Sequence, residues 1–141
     1  DCAQTRFNIR VKTERQAKCV TQKIQSILQK IKAARQCEFS LYGHFGRPPK
    51  VLNDQHLALQ TQLGFCASSL HIPISWKDTG GCCEGNNLTA AGLPNIDTLG
   101  VRGQGIHSSQ EFAFIDSFEE RAKLSALLIA RIATFGRDIL D

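Results

Sequence analysis

A polar, glycine-rich segment over residues 79–111 constrains this 141-residue chain more than any other part of its sequence. It combines clustered glycines, a short strand candidate over residues 94–99 and a single histidine, His107. Glycine permits positive φ and lets the backbone approach a ligand closely, and histidine is the commonest metal ligand and a proton carrier near neutral pH. We therefore expect this segment to form the rim of an active site rather than ordinary core. The rest of the chain supplies no obvious second half of that chemistry.

The composition is typical of a soluble globular protein with one core, since 42% of the residues are hydrophobic and 21% are charged. No apolar run approaches the roughly 18 residues of a membrane span, and the first residues lack the basic start and apolar stretch of a signal peptide. We therefore expect a cytoplasmic protein with no membrane partner. The chain contains no methionine, so we also expect it to be processed or to be a piece of a longer protein.

The six cysteines show no C-x-x-C spacing and so do not predict a structural zinc site. Reduced, mostly buried thiols fit a cytosolic protein, and we favour them over a disulfide framework because a chain of this size does not need one. The adjacent pair Cys82 and Cys83 allows a thiol nucleophile. No His–Asp pair is tied to it by sequence, so a structural role is favoured.

The net charge of +4 has a local source in residues 10–35, which contain eight basic residues and a single acidic residue, Glu14. Such a cluster is compatible with a nucleic-acid surface. No aromatic residue lies among these charges to stack on a base, so a solvated helix face is the favoured interpretation. We expect no nucleic-acid partner.

Residues 1–45 have the pattern of a β-α-β unit. Apolar and polar residues alternate over Thr5–Lys12 and again over residues 37–45, which predicts strands with one face in water. Between them, Thr13 and Gln16 have the spacing of a capping box, and a helix is predicted to about Arg35. Its apolar stripe serves as core or as an oligomer contact, and comprises Val20, Ile24, Ile27, Leu28 and Ile31. One-sided strands favour a two-layer α+β arrangement.

Residues 46–53 interrupt this pattern with glycine and two prolines and predict a hinge. The remainder, residues 54–141, alternates helices and strands as a mixed α/β domain. A helix capped at Asn53 precedes a strand over 72–77, a helical turn over 86–92 and the strand over 94–99. A second capping box at Ser117 opens a final helix, whose predicted buried face comprises Leu124, Leu128, Ile129 and Ile132.

Several short motifs follow one another in a fixed order along the chain. They are Arg6–Val11, Gly46-Arg47-Pro48, Gly80-Gly81 with Glu84-Gly85-Asn86, Gly92-Leu93-Pro94, and Gly105-Ile106-His107-Ser108 with Glu111. In this order they resemble the C-terminal portion of the zinc aminoacylase, glutamate carboxypeptidase and acetylornithine deacetylase family of metallohydrolases. The resemblance implies that residues 1–45 are the second half of a lid domain that mediates dimerisation, and that residues 54–141 are the C-terminal part of an α/β catalytic domain.

The resemblance also implies roles for individual residues. His107 would be a ligand of a two-zinc site, Arg47 would bind the substrate carboxylate, and Gly80 and Gly81 would line the pocket through backbone N–H groups. The substrate would be an N-acyl or N-carbamoyl amino acid or a small peptide, cleaved at its amide bond. The family commonly has Ser or Thr followed by Asp where this chain has Cys83 and Glu84.

The remaining metal ligands and the catalytic glutamate of that family lie N-terminal to the matching region, so no residue of this chain is assigned a catalytic role. We expect the chain to be inactive by itself. The alternative hypothesis is a non-catalytic interaction module that forms oligomers through exposed strand edges. The other histidines, His44, His56 and His71, have no partners at metal-binding spacing and are expected at the surface or at helix ends. Glu111 and Asp97 are candidates for orienting loops.

Overall fold

The computed structural model describes residues 3–35 and 38–136 and shows a mixed α/β chain that is mostly helical. Its helices are α1 (Glu14–Arg35), α2 (Asp54–Ser69), α3 (Glu84–Ala90) and α4 (Asp116–Phe135). Two short strands, β1 (Gly103–Gln104) and β2 (Phe112–Ala113), pair antiparallel.

The chain forms two compact units, and each unit is assembled from two separate stretches. Unit 1 comprises Asp1–Val51 and Thr79–Ala91, and unit 2 comprises Leu52–Asp78 and Gly92–Asp141. Contacts between residues far apart in the sequence therefore hold each unit together.

Helix α1 begins where its capping residues predict. The Gln16 N–H donates to Thr13 Oγ1 at 3.2 Å, which satisfies one of the free donors of the first turn. The Gln16 side chain accepts from the Lys12 N–H at 2.8 Å instead of from Thr13, so only half of the predicted capping box forms as expected. No residue of α1 is buried, and Ile27 is 54% exposed. The apolar stripe of this helix is therefore not a core within the described residues.

The predicted one-sided strands are not formed. Among the described residues, the stretches 5–12, 38–45, 72–77 and 94–99 have no strand hydrogen bonds; Cys37 lies outside the described ranges. Alternation fixes which side chains share a face, but a strand also needs a neighbouring strand to receive its N–H and C=O groups. The β-α-β layering predicted for residues 1–45 is thus wrong for the part of the chain that the structure describes.

The hydrophobic core lies in unit 2, where α2 packs against α4. Its buried members are Leu59, Leu63, Cys66, Ala67, Leu124 and Leu128. Partly buried Ile132 packs against it as predicted, whereas Ile129, which was predicted to be buried, is 67% exposed and lies outside the core. Five residues advance a helix by about 140°, which turns Ile129 away from the direction of Leu124.

The two helices of unit 2 differ in how they begin. The Asn53 side chain accepts the His56 N–H at 3.1 Å and caps α2 as predicted. The capping box predicted at Ser117 is wrong, because α4 already starts at Asp116 and its N-cap, Ile115, makes no side-chain cap. Fully buried Ser117 instead donates to the Phe114 carbonyl at 2.6 Å and accepts the Arg102 N–H at 2.9 Å.

Candidate functional site

The segment around His107 is a hairpin loop joining β1 to β2. Gly103 is paired with Ala113 and Gln104 with Phe112, so the loop consists of residues 105–111. Ser108 closes it, because its N–H and its hydroxyl both donate to the Gly105 carbonyl, at 3.0 and 2.7 Å. The loop is therefore an ordered turn with its own hydrogen bonds.

Two glycines of this hairpin are required by close backbone approach. A β-carbon at Gly103 would collide with the Phe112 carbonyl of the neighbouring strand. At Gly105 a β-carbon would lie 2.6 Å from the Gln110 carbonyl oxygen, and the backbone has φ of +70°, a region that residues with side chains rarely adopt. The glycines of the Gly-x-Gly-x-His sequence thus shape the turn that carries the histidine.

His107 itself lies in the left-handed region with φ of +67° and is exposed. Its N–H donates to Glu111 Oε2 at 3.2 Å, so Glu111 orients the loop from its far end. A residue other than glycine in this region costs about 1–3 kcal/mol, and such residues cluster at functional sites. The turn therefore holds the His107 imidazole at the surface of unit 2 in a conformation that its own backbone does not favour.

A cluster of charged residues fixes the base of the hairpin, and sequence reasoning missed it. Arg102 lies 3.4 Å from Asp116 and 3.3 Å from Glu120 at the start of α4. Its guanidinium also lies 5.4 Å from the centre of the Phe114 ring. The same Glu120 oxygen is 3.2 Å from Arg121 Nε. These contacts tie the hairpin to α4, and no local spacing in the sequence indicated them.

Potential metal ligands do not cluster within the described residues. Among residues 3–35 and 38–136, no group of three or more His, Cys, Asp or Glu side chains is placed to hold a metal ion. A catalytic zinc takes about three protein ligands and an open position. His107 is exposed and has no ring hydrogen bond among these residues, so it fits the role of one ligand. Further ligands would have to come from outside the described ranges.

The other predicted site residues lie in unit 1. Arg47 Nη2 forms an ion pair with Glu84 Oε1, and Asn87 Nδ2 donates to the second Glu84 oxygen at 3.1 Å. Asn86 Nδ2 donates to the Pro48 carbonyl at 2.9 Å. Two stretches 37 residues apart are thereby joined, and Arg47 lies beside the helix that follows Gly80 and Gly81.

The side chain of Arg10 occupies the space in which a side chain of residue 80 would lie. A β-carbon there would lie 2.9 Å from both Cδ and Nη1 of Arg10. Gly81 is less confined, since its nearest neighbour would be Thr79 Oγ1 at 3.7 Å. The structure thus adds Arg10 to the surroundings of the glycine pair. Nothing in the sequence near residue 10 indicated this contact, because Arg10 and Gly80 lie in the two separate stretches of unit 1.

Cys83 and Glu84 both have structural partners. Cys83 is the N-cap of α3: its Sγ accepts the Gly85 N–H at 3.3 Å, while its own N–H donates to Asn86 Oδ1 at 3.0 Å. Glu84 is the partner of Arg47. Cys82 and Cys83 are both reduced, and the capping contact of Cys83 agrees with the structural role favoured for this pair.

The remaining histidines are placed at a helix start or at the surface. His56, in the first turn of α2, is 2% exposed and its Nδ1 lies 2.6 Å from Asn53 Oδ1. His44 and His71 are exposed.

The predicted substrate-binding residues, Arg47, Gly80 and Gly81, are brought together within unit 1, while His107 belongs to unit 2. In the described part of the chain, no helix is both long enough and apolar enough to cross a bilayer. No protein-family model, no curated protein and no solved structure matches this chain.

Proposed function

We propose that this chain is the C-terminal portion of a zinc-dependent hydrolase that cleaves the amide bond of an N-acyl or N-carbamoyl amino acid or of a small peptide. The observation that carries the proposal is the conformation of His107. An exposed imidazole sits on a left-handed residue within a turn that two glycines and Ser108 define. Residues in this backbone region cluster at functional sites, and among the described residues of this kind His107 is the one that the glycines of the hairpin hold within a turn.

The surroundings of Arg47 support the substrate part of the proposal. Its guanidinium binds the carboxylate of Glu84, which is itself largely exposed with 75% of its side chain accessible. A planar guanidinium matches a carboxylate bidentately. A substrate carboxylate would therefore compete with Glu84 for Arg47.

Two zinc ions, when bound, would activate a water molecule and polarise the scissile carbonyl. This chain would contribute the His107 ligand and the Arg47 contact, whereas the other metal ligands and a proton-transferring glutamate would come from an N-terminal portion. The chain by itself is then inactive, and a homo-oligomer would form through the lid, residues 1–45. We place the protein in the cytoplasm, a location that the reduced cysteines Cys19, Cys66 and Cys82 support.

A complementation experiment tests this function. The full chain is fused behind the N-terminal half of a zinc aminoacylase, and hydrolysis of N-acetyl amino acids is measured with and without zinc. We expect zinc-dependent hydrolysis from the fusion and none from the chain alone. His107→Ala should abolish the activity of the fusion.

The matched control is His71→Ala, which removes another exposed histidine of unit 2 with left-handed backbone, φ of +55°. This variant should keep the activity. A folded, monodisperse fusion without zinc-dependent turnover, or equal activity of the two variants, would contradict the proposal. Hydrolysis by the chain alone would contradict the proposal that the other metal ligands and the glutamate come from an N-terminal portion.

The alternative, a non-catalytic interaction module, is favoured by the surface of unit 1. Its apolar side chains remain accessible, as at Phe7 (58% exposed) and Tyr42 (88%), and the buried hydrophobic residues of the described chain belong to unit 2. Contiguous accessible apolar surface marks interaction sites, and the module requires that these side chains form such a patch. Sedimentation of the zinc-free chain separates the two proposals: a stable dimer that takes up no zinc and gains no activity in the fusion supports the module.

A further inference from the structure

A groove in unit 2 combines aromatic walls with a fixed positive charge. It lies along the C-terminal halves of α2 and α4 and has a volume of about 250 Å³. Phe65 and Cys66 contribute to it from α2, and Leu127, Arg131 and Phe135 contribute from α4. The groove is separate from the His107 hairpin and from the Arg47 cluster, so its interpretation does not depend on the proposed function.

Three contacts hold the Arg131 side chain in place. Its Nε donates to Gln62 Oε1 at 2.6 Å. Its guanidinium lies 5.3 Å from the centre of the Phe65 ring and 5.2 Å from that of Phe135, within the range of cation–π attraction. These contacts occupy the Nε donor and place two aromatic rings against the guanidinium, and the described residues form no hydrogen bond or ion pair with its Nη groups.

The charge of Arg131 has no acidic counterpart in the described part of the chain, where it forms no ion pair. The acidic residue of α4 nearest to it in sequence is Glu120, which is about 16 Å away along the helix axis at 1.5 Å per residue. Burial raises the pKa of the Cys66 thiol at the groove, and the charge of Arg131 acts on it in the opposite direction. The groove is therefore apolar in its walls and positive at one point.

We propose that this groove binds small molecules that carry one carboxylate on an apolar or aromatic body. The carboxylate pairs with the Nη groups of Arg131, whose orientation is already fixed by Gln62. The body lies against Phe65, Leu127 and Phe135, which are 54%, 37% and 53% exposed without it. Because the guanidinium is pre-ordered, binding requires little further loss of side-chain freedom.

The test uses the full chain, labelled with ¹⁵N, and two probes of matched shape. Phenylacetate carries the carboxylate, and phenylacetamide is its neutral counterpart. We expect saturable shifts of the amide signals of Phe65, Leu127 and Phe135 with phenylacetate, and an affinity for phenylacetamide at least about tenfold weaker, as the loss of a charged hydrogen bond implies. This comparison needs no variant. Equal affinity for the two probes, or shifts that do not saturate, would overturn the proposal.

Two variants locate the site. Arg131→Gln should weaken phenylacetate binding by at least about tenfold, and Lys123→Gln, which removes an exposed cation elsewhere on α4, should leave it unchanged. If Arg131→Gln does not fold, as judged by circular dichroism, Phe65→Leu replaces it and should also weaken binding. Unchanged affinity in the folded Arg131 variant, or in Phe65→Leu, would place the ligand elsewhere and refute the assignment.

Discussion

Two glycine-to-alanine substitutions in unit 2 should change stability in opposite directions. Gly105 lies in the His107 loop with φ of +70°, and an added β-carbon would be 2.6 Å from the Gln110 carbonyl oxygen. Gly64 lies inside α2, and an added β-carbon there would meet no atom within 4 Å. The same chemical change is therefore strained at one position and accommodated at the other.

The magnitudes follow from backbone conformation. Left-handed backbone costs an L-residue roughly 1–2 kcal/mol, and relief of the contact with Gln110 adds to this, so Gly105→Ala should lower the free energy of unfolding by at least about 1 kcal/mol. In a helix interior alanine is better than glycine by roughly 0.5–1 kcal/mol, so Gly64→Ala should raise it. The two variants should differ by about 2 kcal/mol.

Urea unfolding followed by far-UV circular dichroism measures both variants against the parent chain. Because neither substitution removes core surface, we expect the midpoints to move in opposite directions with unchanged slopes. If Gly105→Ala is as stable as the parent, the turn around His107 is not constrained as described. A loss of stability in Gly64→Ala would show that this helix position is crowded.

Three further outcomes are expected. Leu124→Ala should lower the free energy of unfolding by about 2–5 kcal/mol because the side chain is fully buried. Ile129→Ala, on a 67% exposed residue, should lower it by less than roughly 1 kcal/mol in the same urea unfolding experiments, and equal losses would contradict the assigned core face. Burial raises the pKa of the Cys66 thiol above its ordinary value of 9.0, so the unfolded chain loses this proton at a lower pH than the folded chain does. The free energy of unfolding of the parent should therefore fall as the pH rises above about 9, and that of Cys66→Ala should fall less. The hydrogen bond and ion pair with Lys123 lower the pKa of Glu119. The resulting contribution to stability is present above pH 4.5 and is lost as the pH falls through the lowered pKa. An NMR titration of Lys123→Gln should show that the pKa of Glu119 rises again, and no change would refute the pairing.

Local signals predicted the helices well. The caps at Thr13 and Asn53 act on residues three positions away. The apolar residues that form the face of a helix likewise lie within a few turns of one another. Such information is contained in a short window of sequence. The start of α4 was mistaken because Ser117 bonds across to Arg102, a residue 15 positions away.

Features that depend on distant partners could not be predicted in this way. Alternation over Thr5–Lys12 describes a potential strand face but not the neighbour that a ladder needs. The neighbourhood of Gly80 includes Arg10, and the partner of Arg47 is Glu84, 37 residues later. In contrast, positive φ leaves a residue-type signature in the sequence itself, as Gly105 in the loop before His107 shows.

The interleaving of the two units has a consequence for synthesis of the chain. Asp1–Val51 cannot gain its companion stretch Thr79–Ala91 until about 40 more residues have emerged, which takes roughly 2–8 s at ribosomal rates of about 5–20 residues per second. Apolar side chains such as Phe7 and Leu41, accessible even in the finished structure, face water throughout this interval. The nascent chain therefore presents a prolonged target for chaperones of the holdase type, and slowing translation beyond residue 51 should increase aggregation.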